Sequence, residues 1–170
     1  MDTLPAPKLH RGNMEKKWIK ILENKFGSLE APDYSFVLDE IAKKRYAKVV
    51  GEICKKCTVQ EDTDENYDVS FGYILSFPSG DSYLLRISMI GPFAFLAQLG
   101  IDGSVSMPIL RGLAHDEASI EIIEIFESHG IVLLDAEILN ADFPRLKKYA
   151  KPLYQWLFVD EGRAPWGCEL

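Results

Sequence analysis

The sequence predicts a single α+β domain with helices at the N-terminus and an antiparallel sheet in the middle. Over residues 13–53 the apolar residues recur at helical spacing. Between residues 69 and 110 they instead alternate or form short runs bounded by glycine and proline. The length of 170 residues suits one domain, and 47% of the residues are hydrophobic. We therefore expect a packed core that needs no disulfide or structural metal.

The N-terminal third predicts an arm followed by two helices. Prolines and a glycine interrupt residues 1–12, so we expect a loose arm there, after which a first helix ends at Gly27. Residues 38–53 repeat the helical pattern, with Glu40 and Lys44 spaced for an ion pair on the outer face. The apolar positions of the two helices are Met14, Trp18, Ile21, Leu22 and Phe26, then Leu38, Ile41, Ala42, Tyr46, Val49, Val50 and Ile53.

The middle of the chain predicts a meander of about four strands. Residues 58–68 are polar and acidic, which indicates an exposed loop. Residues 69–77 and 83–90 flank a Pro-Ser-Gly-Asp turn and form a predicted hairpin, and residues 93–99 and 105–110 follow further glycine-containing turns.

The C-terminal third predicts a helix, a short strand and a last helix. Asp116 can cap the first of these helices and Gly130 can end it. Residues 131–134 are a short apolar run typical of a buried strand, and Pro152 suits the first turn of a short final helix. The predicted buried face of the long helix is Ile120, Ile123 and Phe126. We expect one core to contain Trp18, Ile41, Phe71 and Ile123.

The two cysteines at positions 54 and 57 have the spacing of a zinc or redox pair. A tetrahedral zinc site needs two further ligands, and the sequence offers no second compact pair. We therefore predict no metal and no cofactor. The alternative interpretation is a helix end that carries one core cysteine and one partly exposed thiol.

Motifs for catalysis, secretion and membrane insertion are missing from the sequence. It contains no G-x-S-x-G, no H-E-x-x-H and no phosphate-binding glycine loop. The N-terminus lacks the apolar stretch of a signal peptide, and no segment approaches the roughly 18 apolar residues of a membrane span. We expect a cytoplasmic protein that does not contact a membrane.

Charge is distributed unevenly along the chain, whose net charge is −7. Residues 58–144 hold 15 acidic residues and only two basic ones, Arg86 and Arg111, whereas the flanking segments are basic. Nucleic acid is an unsuitable partner, because the lysines of the basic helices are interleaved with acids. A basic protein partner fits the acidic segment better.

Two acidic groups are the candidate partner-binding residues. Glu117, Glu121 and Glu124 share one face of a predicted helix that has no lysine of its own. Asp62, Asp64 and Glu65 lie in the predicted loop. Two interpretations stay open, an acidic docking surface and an ordinary solvated face.

The layout of helices, meander, GIVLLDAE (residues 130–137) and YQWLFVDE (residues 154–161) resembles that of bacterial immunity-type proteins. Such proteins are encoded beside secreted toxins of polymorphic or contact-dependent systems. The resemblance implies a small acidic protein that neutralises a basic toxin domain by binding it, without catalysis. Two other hypotheses are a small hydrolase-like enzyme with a cleft beside the sheet and a subunit that associates with copies of itself.

Overall fold

The computed structural model describes residues 11–114, 116–141, 143–149, 151–160 and 164–166. The helices are α1 (Arg11–Phe26), α2 (Phe36–Lys43), α3 (Ala47–Ile53), α4 (Glu117–Ser128), α5 (Ala136–Leu139), α6 (Pro144–Lys147) and α7 (Leu153–Leu157). The strands are β1 (Thr58–Glu61), β2 (Ser70–Ser76), β3 (Ser82–Ser88), β4 (Phe93–Gln98) and β5 (Val132–Leu133). Among the described helices, none has the length and apolar character needed to cross a bilayer.

The strands form one mixed sheet in the order β1-β2-β3-β4-β5. The first four strands pair antiparallel as a meander, and β5 adds to β4 in parallel. The parallel pair is possible because α4 lies between β4 and β5 in the chain and provides a crossover connection. The α+β class is therefore confirmed.

Helices cover both faces of the sheet. Side chains alternate between faces along a strand, so Tyr83 and Arg86 of β3 point to opposite sides. On the Tyr83 side, the Tyr83 hydroxyl donates to Asp116 Oδ1 at the start of α4, at 2.7 Å. On the Arg86 side, the Phe95 ring packs 5.0 Å from the rings of Phe158 and Trp166. The core thus lies on both sides of the three central strands.

The C-terminal segment is fastened to the sheet by two buried serines. The Ser70 hydroxyl donates to the carbonyl oxygen of Phe158 at 2.8 Å, and the Ser88 hydroxyl donates to that of Leu157 at 2.6 Å. Both serines are completely buried. The Ser88 hydroxyl therefore supplies a partner for the carbonyl at the end of α7, and the Ser70 hydroxyl adds a second bond to the Phe158 carbonyl, which also accepts the Val69 N–H at 3.1 Å.

Three helices precede the sheet, where the sequence predicts two. The predicted second helix is broken at Lys44, whose φ of 48° is left-handed. The break places the hydroxyl of Tyr46 2.9 Å from the carbonyl oxygen of Gly91, to which it donates. Glu40 is buried, and its Oε1 binds Lys25 at 2.8 Å and Arg45 at 2.7 Å. The predicted exposed pair of Glu40 with Lys44 is therefore wrong.

Only part of the predicted N-terminal arm, residues 1–12, belongs to the described residues. Residues 1–10 lie outside the described residues, whereas α1 already begins at Arg11. Two residues assigned to the arm are thus helical. The helix ends as predicted, because Gly27 adopts a left-handed φ of 74°.

Two predictions for the middle of the chain are wrong, one of a loop and one of a strand. The predicted loop contains β1, which is an edge strand exposed on most of its residues and so lacks apolar alternation. The predicted strand over residues 105–110 is not one, although Ile109 N donates to Leu96 O at 2.7 Å. Pro108 has no N–H to continue such a ladder, and only the isolated bridge between Leu99 and Val105 forms.

The orientation of α4 differs from the prediction by one position. Ile120 is 39% exposed, whereas Ile122, Ile123 and Phe126 are buried. Trp18 and Phe71 lie in the main core and Ile41 packs against it. Ile123 lies outside this core cluster and lines a separate pocket together with Leu110, so the prediction that it shares the core is wrong. The predicted stop at Gly130 is confirmed by its φ of 67°.

Candidate functional site

The two predicted acidic groups lie at different places in the fold. Glu117, Glu121 and Glu124 are on α4, which covers the Tyr83 face of the sheet. Asp62, Asp64 and Glu65 follow β1, next to Gly72 and Arg86 at the other end of the strands. The structure therefore does not bring the six residues into one cluster.

Two of the α4 glutamates have cationic partners from distant segments. Glu121 binds Lys56 Nζ at 2.8 Å, and Glu124 lies 3.4 Å from a guanidinium nitrogen of Arg111, which also binds Glu127. Glu117 forms no ion pair with any described residue. The sequence indicated no partners because Lys56 is far from this helix along the chain and Arg111 lies outside it, on the segment that precedes the helix.

The loop after β1 is held rigidly by one buried carboxylate. Asp68 is 6% exposed, and its Oδ2 accepts the backbone N–H of Asp64 at 2.8 Å and a hydrogen bond from Arg86. Arg86 also pairs with Asp62 at 3.2 Å. Burial raises the pKa of Asp68, and the Asp64 N–H and Arg86 reduce this effect. The hydrogen bonds fix the turn at residues 64–68.

This turn and α2 form the walls of an open groove of about 490 Å³. Tyr67 on the turn and Leu38 on α2 both line the groove, and they are 54% and 63% exposed. Large apolar side chains exposed together in a concave surface are typical of binding sites. We call this surface the Leu38–Tyr67 groove.

A second network supports the end of the groove where Tyr34 and Asp160 lie. The Tyr34 hydroxyl and Lys151 Nζ both donate to Asp160 Oδ1, and Lys151 Nζ lies 3.3 Å from the Tyr34 hydroxyl oxygen. Asp160 N donates to Tyr67 O at 2.6 Å, which joins this network to the turn. Burial alone would raise the pKa of Asp160, but hydrogen bonds from Lys151 and Tyr34 outweigh it and hold that pKa below its ordinary value.

The charge of the groove is negative. Its lining residues include Glu65, Asp68 and Asp160 but no lysine or arginine. Arg86 neutralises Asp68 and Lys151 neutralises Asp160, whereas Glu65 is exposed and makes no hydrogen bond or ion pair with the described residues. An uncompensated carboxylate is thus left at the groove.

The pKa values of Tyr34 at the groove and of Cys57 after α3 are both raised. Burial and the Asp160 carboxylate raise the pKa of Tyr34 well above its usual value. Cys57 is buried, with its pKa raised by burial to about 11, and Cys54 is exposed. The interpretation of one core cysteine and one exposed thiol is confirmed. Both the Tyr34 phenol and the Cys57 thiol stay protonated near neutral pH, so neither is a ready nucleophile or base.

No group of three or more metal-ligating side chains occurs in the described part of the chain. The cysteine pair therefore has no further ligands among those residues. His115, the histidine next to the α4 cap, lies outside them.

Of the residues that line the groove, sequence reasoning identified Glu65 and missed Leu38, Tyr67 and Asp160. Leu38 was predicted to face the core because it continues the helical pattern, but it is exposed because the buried face of α2 contains Val37 and Glu40. Tyr67 carried a usable signal, since it is the one aromatic residue within the acidic segment 58–68. The contribution of Asp160 depends on a contact across the fold and has no local signal.

No family model, no curated protein and no solved structure matches the chain.

Proposed function

We propose that the chain is a non-catalytic acidic binding protein that holds a basic protein partner at the Leu38–Tyr67 groove. The observation that carries this proposal is the exposure of Leu38 and Tyr67 in a concave, negatively charged surface. A partner that covered the two side chains would remove apolar area from water, which favours association.

The rigidity of the groove supports the same function. Tyr67 stands on a turn fixed by Asp68, Asp64 and Arg86, so its exposure does not reflect a loose loop. A preorganised surface loses little conformational entropy when a partner binds, and more of the contact energy remains as affinity. Aromatic residues held in this way are common binding hot spots.

The charge supports a basic partner. Between residues 58 and 144 the chain carries a large acidic excess, and complementary charge speeds encounter and excludes acidic competitors. A secreted basic toxin domain is the partner that the immunity-type layout favours. In that form of the proposal, the chain neutralises the toxin in the cytoplasm by covering it.

Differential affinity capture tests the proposal. The wild-type chain, the variant Tyr67→Ala/Glu65→Lys and the control Ile101→Ala are immobilised and exposed to the same extract of the source cells. Ile101 is fully exposed on the turn after β4, at the opposite end of the strands from the groove. We expect wild type and control, but not the groove variant, to retain a basic protein that salt releases. Equal retention by all three would contradict the proposal.

A further inference from the structure

We propose that the Leu38–Tyr67 groove takes a short extended segment of the partner in which an aliphatic or aromatic side chain stands beside a lysine or arginine. This inference rests on the proposed function and deepens it by specifying the chemistry of the bound segment. The apolar side chain packs between Leu38 and Tyr67, and the neighbouring cation meets Glu65.

The shape of the site favours a segment over a flat protein face. A volume of about 490 Å³ is in the range of small-molecule pockets, so the groove accommodates only a few side chains. Its two exposed apolar residues stand on different walls, Leu38 on α2 and Tyr67 on the turn. One bulky side chain placed between them would contact both and be largely withdrawn from water.

The position of Glu65 indicates which kind of residue lies beside the apolar side chain in the bound segment. Glu65 precedes Tyr67 by two residues on the same fixed turn and has no partner among the described residues. A cation beside the apolar anchor could pair with Glu65 and lie over the exposed Tyr67 ring. An anionic segment would meet Glu65 without any lining lysine or arginine to compensate it.

Peptide binding is the direct test. The probe is a labelled peptide of alternating leucine and lysine, and two control peptides replace either leucine by serine or lysine by glutamate. Fluorescence anisotropy gives the dissociation constants for the wild-type chain. We expect the leucine–lysine peptide to bind at least about tenfold more tightly than either control peptide, because each control lacks one of the two contacts.

Chain variants locate the binding. Leu38→Ala and Tyr67→Ala should each raise the dissociation constant of the leucine–lysine peptide by about tenfold, as expected for central apolar contacts. Glu65→Gln should weaken binding of the same peptide and make its dissociation constant less dependent on salt concentration. The matched controls are Ile101→Ala and Met107→Ala, which truncate exposed side chains away from the groove and should leave binding unchanged. Circular dichroism checks that each variant is folded.

The outcomes separate this inference from the proposed function. If capture of a basic protein depends on Tyr67 but no peptide binds, the partner presents a folded surface, and the inference is wrong while the proposed function stands. Equal peptide binding by Tyr67→Ala and Ile101→Ala would show attraction by charge alone and would also overturn the inference. If sedimentation shows a dimer that Tyr67→Ala dissociates, a second copy occupies the groove, and both the inference and the proposed function are wrong.

Discussion

Gly72 of β2 lies directly opposite Arg86 of β3. A Cβ atom at this position would stand 2.5 Å from the carbonyl oxygen of Asp62 and 2.6 Å from Arg86 Nη1. Either the loop backbone or the guanidinium would have to move, and movement of the guanidinium would disturb its pairing with Asp68. The absence of a side chain at Gly72 therefore leaves room for the contacts that hold the turn with Tyr67.

We predict that Gly72→Ala lowers the free energy of unfolding by about 1–3 kcal/mol, the usual effect of overpacking. Urea denaturation measures the change. Gly51→Ala is the matched control, because Gly51 lies within α3 with nothing near its Cβ position. Alanine there should raise stability by about 0.5–1 kcal/mol. Equal effects of the two substitutions would show that the loop yields easily.

At the scale of elements, the predictions succeed where the signal is local. Gly27 and Gly130 end helices because their left-handed φ angles suit glycine, and Asp116 caps α4 by accepting the N–H of Ser119 at 2.7 Å. The break at Lys44 has no such signal, because nothing in the local sequence marks an exposed lysine for a left-handed φ. The edge strand β1 likewise buries too few residues to alternate.

The orientation of α4 predicts different effects for substitutions of Ile120 and Ile123. Ile123→Ala should cost about 2–4 kcal/mol, because its side chain is 1% exposed and the truncation leaves a cavity. Ile120→Ala should change stability by no more than about 0.5 kcal/mol, as is usual at the surface. Thermal or urea unfolding of both variants measures the difference. Similar costs would contradict the orientation of the helix.

The cap of α4 gives a prediction about pH. Burial would raise the pKa of Asp116, but hydrogen bonds from Ser119 and Tyr83 outweigh burial and lower it. A carboxyl group whose pKa is lower in the folded state stabilises the protein at pH values above its unfolded-state pKa of about 3.9. This stabilisation is lost as the pH falls through the folded-state pKa. Unfolding free energies measured between about pH 6 and 3 should therefore fall less steeply in Asp116→Asn than in wild type. Parallel curves would show that Asp116 titrates normally.

At the scale of the whole molecule, the acidic excess is partly neutralised by contacts that only the fold creates. Lys56 reaches Glu121 over a separation of 65 residues, and Arg111 reaches Glu124 from the segment before α4. Sequence patterning shows charges along a helix but not the cations that tertiary packing brings to it. The overall charge asymmetry was predictable, whereas the share of it left uncompensated was not.

Charge reversal on α4 tests whether its glutamates steer a partner towards the groove. Glu117→Lys, Glu121→Lys and Glu124→Lys together should slow association by about tenfold or more at low salt, because steering acts through the field of the whole surface. Association rates against salt, measured with the captured partner, give the effect. The dissociation rate should change little, because these residues lie away from the groove. If the association rates of the wild type and the triple variant depended identically on salt, these glutamates would be an ordinary solvated face.

The two serine hydroxyls that fasten the C-terminal segment have a consequence for the order of folding. They join residues separated by 88 and 69 positions, whereas the hairpins of the meander join near neighbours in the chain. Closing long loops costs entropy before any contact compensates for it, so the hairpins can form first and the segment containing α7 attaches late. Interactions formed after the rate-limiting step affect how fast a protein unfolds more than how fast it folds. We therefore expect loss of the Ser70 and Ser88 hydrogen bonds to shorten the lifetime of the folded state more than it slows folding.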